Sequence, residues 1–391
     1  MTVFNIICPD FLLTNRCNMA CKYCFEKNKG KDDMDINKLN EYLDHNPCLS
    51  TFPFGGEPLL RMDLLCAIMD SLKNNPNIQR KRKETAIKKS QNVITNGTLL
   101  TDSTLKKFKE YGFRAQISID GPKHVQDENR VFPNGSGTYD TVIKAIDNCI
   151  KYGVIWSIHG VISKATIPYV YDIFVWFFEL YKNKKNIKTA IDHMGKNTFQ
   201  IIFEQDYDDE DVDILLNEFH RIAEYIYTRK YLNPELKNKL FDNFFLKNGG
   251  VCSAGTTLIS VDHKFDMYPC HRLALIPEKK KLLIGNVFKP LELQNFTLMN
   301  SYYNIARLKR YMYSAVTNND NYKDENKNIL RWFMWCPATN YQTSGTVYYQ
   351  NAKYNLMFTE LNRLIVELKK AYYIKLKQNG CTRNKNNSCK R

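Results

Sequence analysis

The sequence predicts an α/β fold: a partial (β/α)6, TIM-like barrel followed by a smaller C-terminal module. Three observations predict it. Short apolar, strand-like segments alternate with helical stretches, and a polar or glycine-rich motif stops the chain after most of the strands. The chain is also long enough for two or three domains, with 391 residues of which 43% are hydrophobic. Strand–helix alternation implies a parallel sheet with right-handed crossovers. In a barrel of this kind the chemistry sits at the C-terminal ends of the strands, which is where these motifs fall.

The elements follow in order. A first strand-like segment ends about a dozen residues before Cys17, by the rough spacing of the apolar run. Further strands are predicted at Phe52 to Phe54, Asn92 to Thr95, Ala115 to Ile119, Ser157 to Ile162 and Thr198 to Phe203. Helices are predicted between them at Asn37 to Tyr42, Met62 to Lys73, Ser103 to Tyr111, Tyr139 to Lys151 and Ile167 to Tyr181. The acidic run Asp206 to Asp213 favours the start of an amphipathic helix, Leu215 to Tyr227, which reads as a bridge between domains. Beyond it, two alternating stretches around the polar turn near His263 predict a β-hairpin. A last helix, Met357 to Leu376, carries Leu361, Leu364, Ile365 and Leu368 on one face and reads as core packing. The domains expected are a barrel over 1–235, the module over 236–352, the helix over 353–378 and a basic disordered tail over 379–391.

Composition excludes several classes. Aromatics at 13% exclude a disordered chain. The longest apolar run, Ile173 to Phe178, is far below the roughly 18 residues of a membrane span, so no membrane is expected. The N-terminus, MTVFNIICPD, has no basic region or cleavage site of an export signal, and a cytoplasmic location follows as the expectation. Lys and Arg total 56 against 41 acidic residues, a net charge of +15. That balance and the basic run over 79–89 favour acidic partners or nucleic acid. Abundant Lys and Asn, which reads as AT-rich coding bias, weakens the charge argument.

The cytosol keeps thiols reduced, so the 12 cysteines read as metal ligands or buried thiols rather than disulfides. Cys8, Cys48, Cys66 and Cys149 lie singly in apolar stretches and read as small buried hydrophobes. Cys17, Cys21 and Cys24 form C-x3-C-x2-C. Three thiolates this close can wrap one iron–sulfur cluster and leave one iron open to an exogenous molecule, which reads as a catalytic site. A closed zinc site is the alternative, and it would want a fourth Cys or His nearby.

C-x3-C-x2-C with an aromatic, Tyr23, before the last Cys resembles the signature of the radical S-adenosylmethionine (SAM) superfamily. The resemblance extends through GGEP at Gly55-Gly56-Glu57-Pro58, the Asn96-Gly97 strand stop, Ser118-Ile119-Asp120-Gly121, Arg130 and the strand through His159 and Val161. It covers roughly residues 8–165. It implies a 4Fe–4S cluster on Cys17, Cys21 and Cys24 that binds SAM, whose reductive cleavage gives a 5′-deoxyadenosyl radical. Gly55, Gly56 and Glu57 would face the SAM amino group, Ser118 and Asp120 its ribose, Arg130 its carboxylate, and Val161 its adenine.

A second constellation, Cys252-x-Ala254-Gly255, Val261-Asp262, Pro269-Cys270-His271-Arg272 and Gly285-Asn286-Val287, resembles the auxiliary-cluster module called twitch or, in its longer form, SPASM. The resemblance implies a second 4Fe–4S cluster on Cys252, Cys270 and Cys336, with a fourth ligand that is absent, not a cysteine, or replaced by substrate. Buried thiols without a cluster are the alternative. In the anaerobic sulfatase-maturating relatives an Asp follows this Cys; here His271 stands in its place, as a ligand, a base or a packing residue. The subgroup implies a peptide or protein substrate, a maturase-type oxidoreductase activity, and an electron donor such as flavodoxin or ferredoxin. Cys17 lies so near the start that no leader-gripping module is expected before it, so either leader recognition would fall to a separate protein or the substrate is not a leader peptide. Modification of a nucleic acid or nucleotide is the rival reading, carried by the net charge.

Overall fold

The computed structural model describes residues 8–26, 29–45, 51–74, 76, 91–194, 199–201, 206–246, 254, 258–276, 279–289, 360–361 and 363–371. The chain divides into two compact units, 1–160 with 252–309, and 161–251 with 310–391. No described helix is long and apolar enough to cross a membrane.

The first unit begins with β1 (Cys8–Leu12), α1 (Ile36–His45), β2 (Phe52–Phe54) and α2 (Met62–Asn74). It continues through β3 (Gln91–Thr95), α3 (Asp102–Tyr111), β4 (Phe113–Ser118), α4 (Lys123–Asn129), α5 (Tyr139–Lys151) and β5 (Trp156–Ile162), which runs to its edge. β1 and β2 are parallel, with Asp10 opposite Phe52 and Leu12 opposite Phe54. β3, β4 and β5 are parallel neighbours, with Thr95 opposite Ile117 and Ser118 opposite His159. Gln91 joins the two sheets by donating its side-chain amide to the Thr51 carbonyl.

The alternating residues of β3, β4 and β5 are buried in turn, as a sheet covered by helices requires. Phe11 shows what covers one face: it is fully buried and meets Tyr42 of α1 edge-on, with ring centroids 5.6 Å apart. Cys149 is fully buried on α5, and Cys66 on α2 is only half-buried, so the expectation of a buried thiol at 66 is met only in part. Cys48 lies outside the described residues.

In the second unit, the predicted helix at Ile167 starts later. Pro168 lies in a 3-10 turn, Lys164–Tyr169, and α6 (Val170–Lys184) follows it. A proline interrupts backbone donation, so the regular helix begins only beyond it. α7 (Ile187–His193), β6 (Phe199–Ile201), α8 (Asp209–Thr228) and α9 (Pro234–Phe241) come next. The acidic run does start a helix: the Asp208 side chain accepts from the Asp211 N–H at 3.0 Å, and the Asp208 N–H donates back to Asp211 at 2.9 Å.

The expectation that this helix bridges domains is corrected. Leu215, Phe219, Ile222 and Ala223 of α8 are fully buried, so α8 is part of the second unit's core. The core is aromatic: Phe174 meets Phe244 at 4.8 Å, and Phe244 meets Phe245 at 4.7 Å, both edge-on. Each such pair adds about 0.5–1.5 kcal/mol to the area it buries. Residues 360–361 and 363–371 are helical, and Leu361, Leu364, Ile365 and Leu368 are buried as their spacing predicts.

The chain then supplies the remainder of the first unit. β7 (Leu258–Val261) pairs parallel with β1, on the edge away from β2, with Cys8 opposite Leu258. β8 (Asp266–Tyr268) returns antiparallel to β7, α10 (His271–Ala274) follows, and β9 (Gly285–Asn286) pairs antiparallel with β8. The hairpin expected from sequence is therefore a direct extension of the β1–β2 sheet. Its turn is shaped by Asp262, whose carboxylate accepts from the Lys264 and Asp266 N–H groups at 2.9 and 3.1 Å.

Candidate active site

The loop carrying Cys17, Cys21 and Cys24 leaves the end of β1 and is clamped from two sides. On one side, the Gly56 N–H donates to the Thr14 carbonyl at 2.9 Å and the Glu57 N–H to the Arg16 carbonyl at 2.8 Å. On the other, the Ala20 N–H reaches the Val131 carbonyl at 2.8 Å and the Lys22 N–H the Asn129 carbonyl at 2.9 Å. Two glycines in GGEP have a geometric reason. Gly55 has φ +143°, and a Cβ on it would lie 2.4 Å from the Thr14 oxygen; one on Gly56 would lie 2.2 Å from the Arg16 oxygen. What they approach is the cysteine loop itself.

All three thiols are half-buried and unpaired. The Cys17 Sγ accepts from the Met19 N–H at 3.4 Å. Burial pushes the Cys17 thiol up to about 11, against the pull of the Met19 hydrogen bond and Lys29. Burial also raises Cys21, with Arg130 opposing it. Thiols so placed become ligands only where a bound cation stabilises their thiolates, so this donor set fits a metal centre better than free thiol chemistry. Among the described residues no three Cys, His, Asp or Glu side chains converge as ligands of a single ion. A multi-iron cluster asks instead for one cysteine per iron.

Tyr23, Asp120 and Arg130 form one buried network. The Tyr23 hydroxyl donates to Asp120 Oδ2, and Arg130 Nε lies 3.0 Å from the same oxygen. The guanidinium also stands 5.4 Å from the centre of the Tyr23 ring. Asp120 is fully buried and Arg130 nearly so. Burial opposes the Arg130 charge, but Asp120, Tyr23 and Cys21 together raise its pKa, so it remains a guanidinium. Burial and Asp120 hold Tyr23 well above the usual phenol range, in keeping with its role as donor. A relay fixes the backbone here: the Asp120 N–H donates to Gln126, Gln126 to the Thr138 hydroxyl, and that hydroxyl to the Arg130 carbonyl.

Glu57 is fully buried with both oxygens occupied. Oε1 accepts from the Thr95 hydroxyl at 2.7 Å and the Leu59 N–H at 3.0 Å, and Oε2 accepts from the Asn96 N–H at 2.8 Å. Burial pushes it up to about 7, and those three donors pull the other way. Asn96 continues the network, donating to Asn18 at 2.8 Å, while Asn18 donates to the Thr98 hydroxyl at 2.8 Å. Asn18 lies inside C-x3-C, so the end of β3 is tied directly to the cysteine loop. Asn18, Thr95 and Thr98 were not singled out from sequence, because nothing in their spacing distinguishes them from turn residues.

Ser118 closes β4 and is half-buried; Val161 lies within β5. Cys270 is buried, and Cys252 and Cys336 lie outside the described residues. His271 places its Nδ1 2.8 Å from Asp10 Oδ2, and its ring centroid is 4.5 Å from that of Phe54 and 6.3 Å from that of Phe25. Phe25 follows Cys24 and Phe54 precedes Gly55, so His271 stands beside the end of the cysteine loop and the strand that leads into GGEP. Asp10, only 4% exposed, was missed because a lone Asp in a strand carries no signal.

The family model described as the radical SAM superfamily matches residues 11–176. These residues are a radical SAM domain. The serine-type anaerobic sulfatase-maturating enzyme of Bacteroides thetaiotaomicron is 30% identical over 42% of this chain and 41% of its own length. The cysteine-type enzyme of Clostridium perfringens is 30% identical over 42% of this chain and 46% of its own. The chain thus spans under half the length of these two relatives. A solved sulfatase-maturating enzyme, anSMEcpe with bound AdoMet and a Cp18Cys peptide, superposes with a TM-score of 0.62 at 19% identity, covering 95% of this chain and 98% of that one. That likeness shows the fold. The radical SAM domain holds the cysteine loop, the GGEP clamp and the Asp120–Arg130 network, and it takes in β1 to β5 almost entirely.

Proposed function

We propose that this chain is a radical SAM enzyme acting on a peptide or protein, with a 4Fe–4S cluster held by Cys17, Cys21 and Cys24. When bound, the cluster and SAM supply a reductive cleavage whose 5′-deoxyadenosyl product takes a hydrogen atom from the substrate. The observation that carries this reading is the double clamp, which holds the loop bearing three free, half-buried thiols between the GGEP turn and residues 129–131.

The chain's own residues hold that arrangement. Glu57 is saturated by three donors, so it acts by positioning: it fixes the GGEP turn against the end of β3. Asp120 holds Arg130 as a buried cation beside Cys21 and Tyr23, a site suited to an anionic group such as the SAM carboxylate. Ser118, at the end of β4, is the ribose-facing position. The names of the relatives support a polypeptide substrate. An auxiliary cluster on Cys252, Cys270 and Cys336, a flavodoxin or ferredoxin as reductant and a separate leader-recognition protein complete the proposal for a cytoplasmic enzyme.

The test is anaerobic reconstitution followed by dithionite reduction with SAM. The protein should release 5′-deoxyadenosine and Cys24→Ala should release none; equal release from both would overturn the assignment.

A further inference from the structure

The first unit contains a pocket of about 240 Å³ that the proposed reaction does not use. It lies beside both ends of the cysteine loop, since Thr14 and Asn15 precede Cys17, and Glu26 follows Cys24; the β7–β8 turn closes it. Leu12, Ala274, Leu275 and Ile276 make one wall apolar. The polar side is incompletely bonded. Glu26 is only 5% exposed, yet its Oε1 has no hydrogen-bond partner among the described residues. His263 Nε2 is likewise buried without a bond, 3.7 Å from Asp32 Oδ2. Buried polar atoms of folded proteins are almost always partnered, so these two point to a ligand.

Charge defines that ligand. Asp262 is engaged by Lys279 at 3.0 Å and by its own turn, so the two charges cancel. Lys29, another cation near Glu26, gives its ammonium to the Met19 carbonyl. Glu26 and Asp32 remain as the carboxylates with no lysine or arginine bonded to them among the described residues, while Lys29 and Lys279 act on Glu26 only through space. An acidic end beside an apolar wall matches an aliphatic stem with a cationic head. The volume falls below the roughly 300–1,000 Å³ of small-molecule sites and suits one side chain.

We infer that this pocket takes an arginine or lysine side chain of the polypeptide substrate, with Glu26 Oε1 accepting from its cationic head; the inference rests on the peptide reading above. The test is calorimetry on the reconstituted full chain with Nα-acetylarginine methylamide, its neutral citrulline analogue and free arginine. The capped arginine should bind at least about tenfold more tightly than the citrulline analogue, the worth of one charge-assisted hydrogen bond. Glu26→Gln should abolish that preference. Leu275→Trp, which fills the pocket from its half-exposed rim, should block the probe in a protein whose loop is untouched. Equal binding of the two capped probes, no binding, or a preference that survives both variants would overturn the inference. Free arginine binding tenfold more tightly than the capped form would overturn the peptide source. Dithionite cleavage of SAM, measured on the same samples, reads the proposed reaction separately: probe preference without cleavage sinks the reaction and leaves the pocket standing.

Discussion

Gly56 lies directly beneath Arg16, with its N–H side turned to the cysteine loop and room for no side chain: a Cβ would stand 2.2 Å from the Arg16 oxygen and 3.1 Å from the Cys17 Cβ. Two backbones this close can be parted only by moving the loop. Gly56→Ala should therefore cost about 1–3 kcal/mol, the usual penalty of overpacking, and displace Cys17. Denaturant unfolding with iron content measured after reconstitution checks it. A variant of wild-type stability that loads wild-type iron would contradict the clamp.

Glu57 gives a pH-dependent outcome. Its folded-state pKa is raised from 4.5 to about 7, so between those values the folded chain binds more protons than the unfolded chain. This group's contribution to stability is full below pH 4.5 and is lost as pH rises through 7, a change of about 3 kcal/mol. Glu57→Gln has no titrating group here, and its amide nitrogen cannot accept from Asn96 or from Thr95 and Leu59. Its deficit against wild type should thus be larger near pH 5 than near pH 8. Urea titrations of both proteins across that range check the slope; a deficit that grows with pH would contradict it.

Much of this was legible in the sequence for physical reasons. The parallel strands and their helices follow apolar periodicity, and GGEP needs its glycines because a backbone passes over them. The partners of those glycines were not legible. Contacts such as Gly56 with Thr14, or Asn96 with Asn18, join residues far apart in sequence, and no local pattern encodes them. The Asp10–His271 pair, 261 positions apart, belongs to the same class. α8 was misjudged as a bridge because an amphipathic helix with an acidic start looks the same whether it links domains or lies within one.

The Asp120–Arg130 pair is buried, and removing one charge should cost more than removing both. Asp120→Asn leaves a guanidinium that is 10% exposed beside a neutral amide, with an expected loss of about 3–5 kcal/mol. Arg130→Met with Asp120→Asn should recover part of that loss. A double-mutant cycle by chemical denaturation should return a coupling of roughly 0.5–3 kcal/mol. Additive losses would mean that the two side chains do not act as a pair.

Iron stoichiometry decides what Cys270 does. If Cys17, Cys21 and Cys24 hold one 4Fe–4S cluster and Cys252, Cys270 and Cys336 a second, reconstitution should give about eight irons per chain. Cys270→Ala should lower this to about four and leave dithionite-driven SAM cleavage intact, because the cysteine loop, its clamp and the Asp120–Arg130 network do not depend on that thiol. Cys21→Ala should do the reverse, retaining about four irons while abolishing cleavage. Only about four irons in the wild type, with Cys270→Ala unchanged, would make Cys270 a buried packing thiol. The His271 ring beside it would then owe its place to Asp10, Phe54 and Phe25.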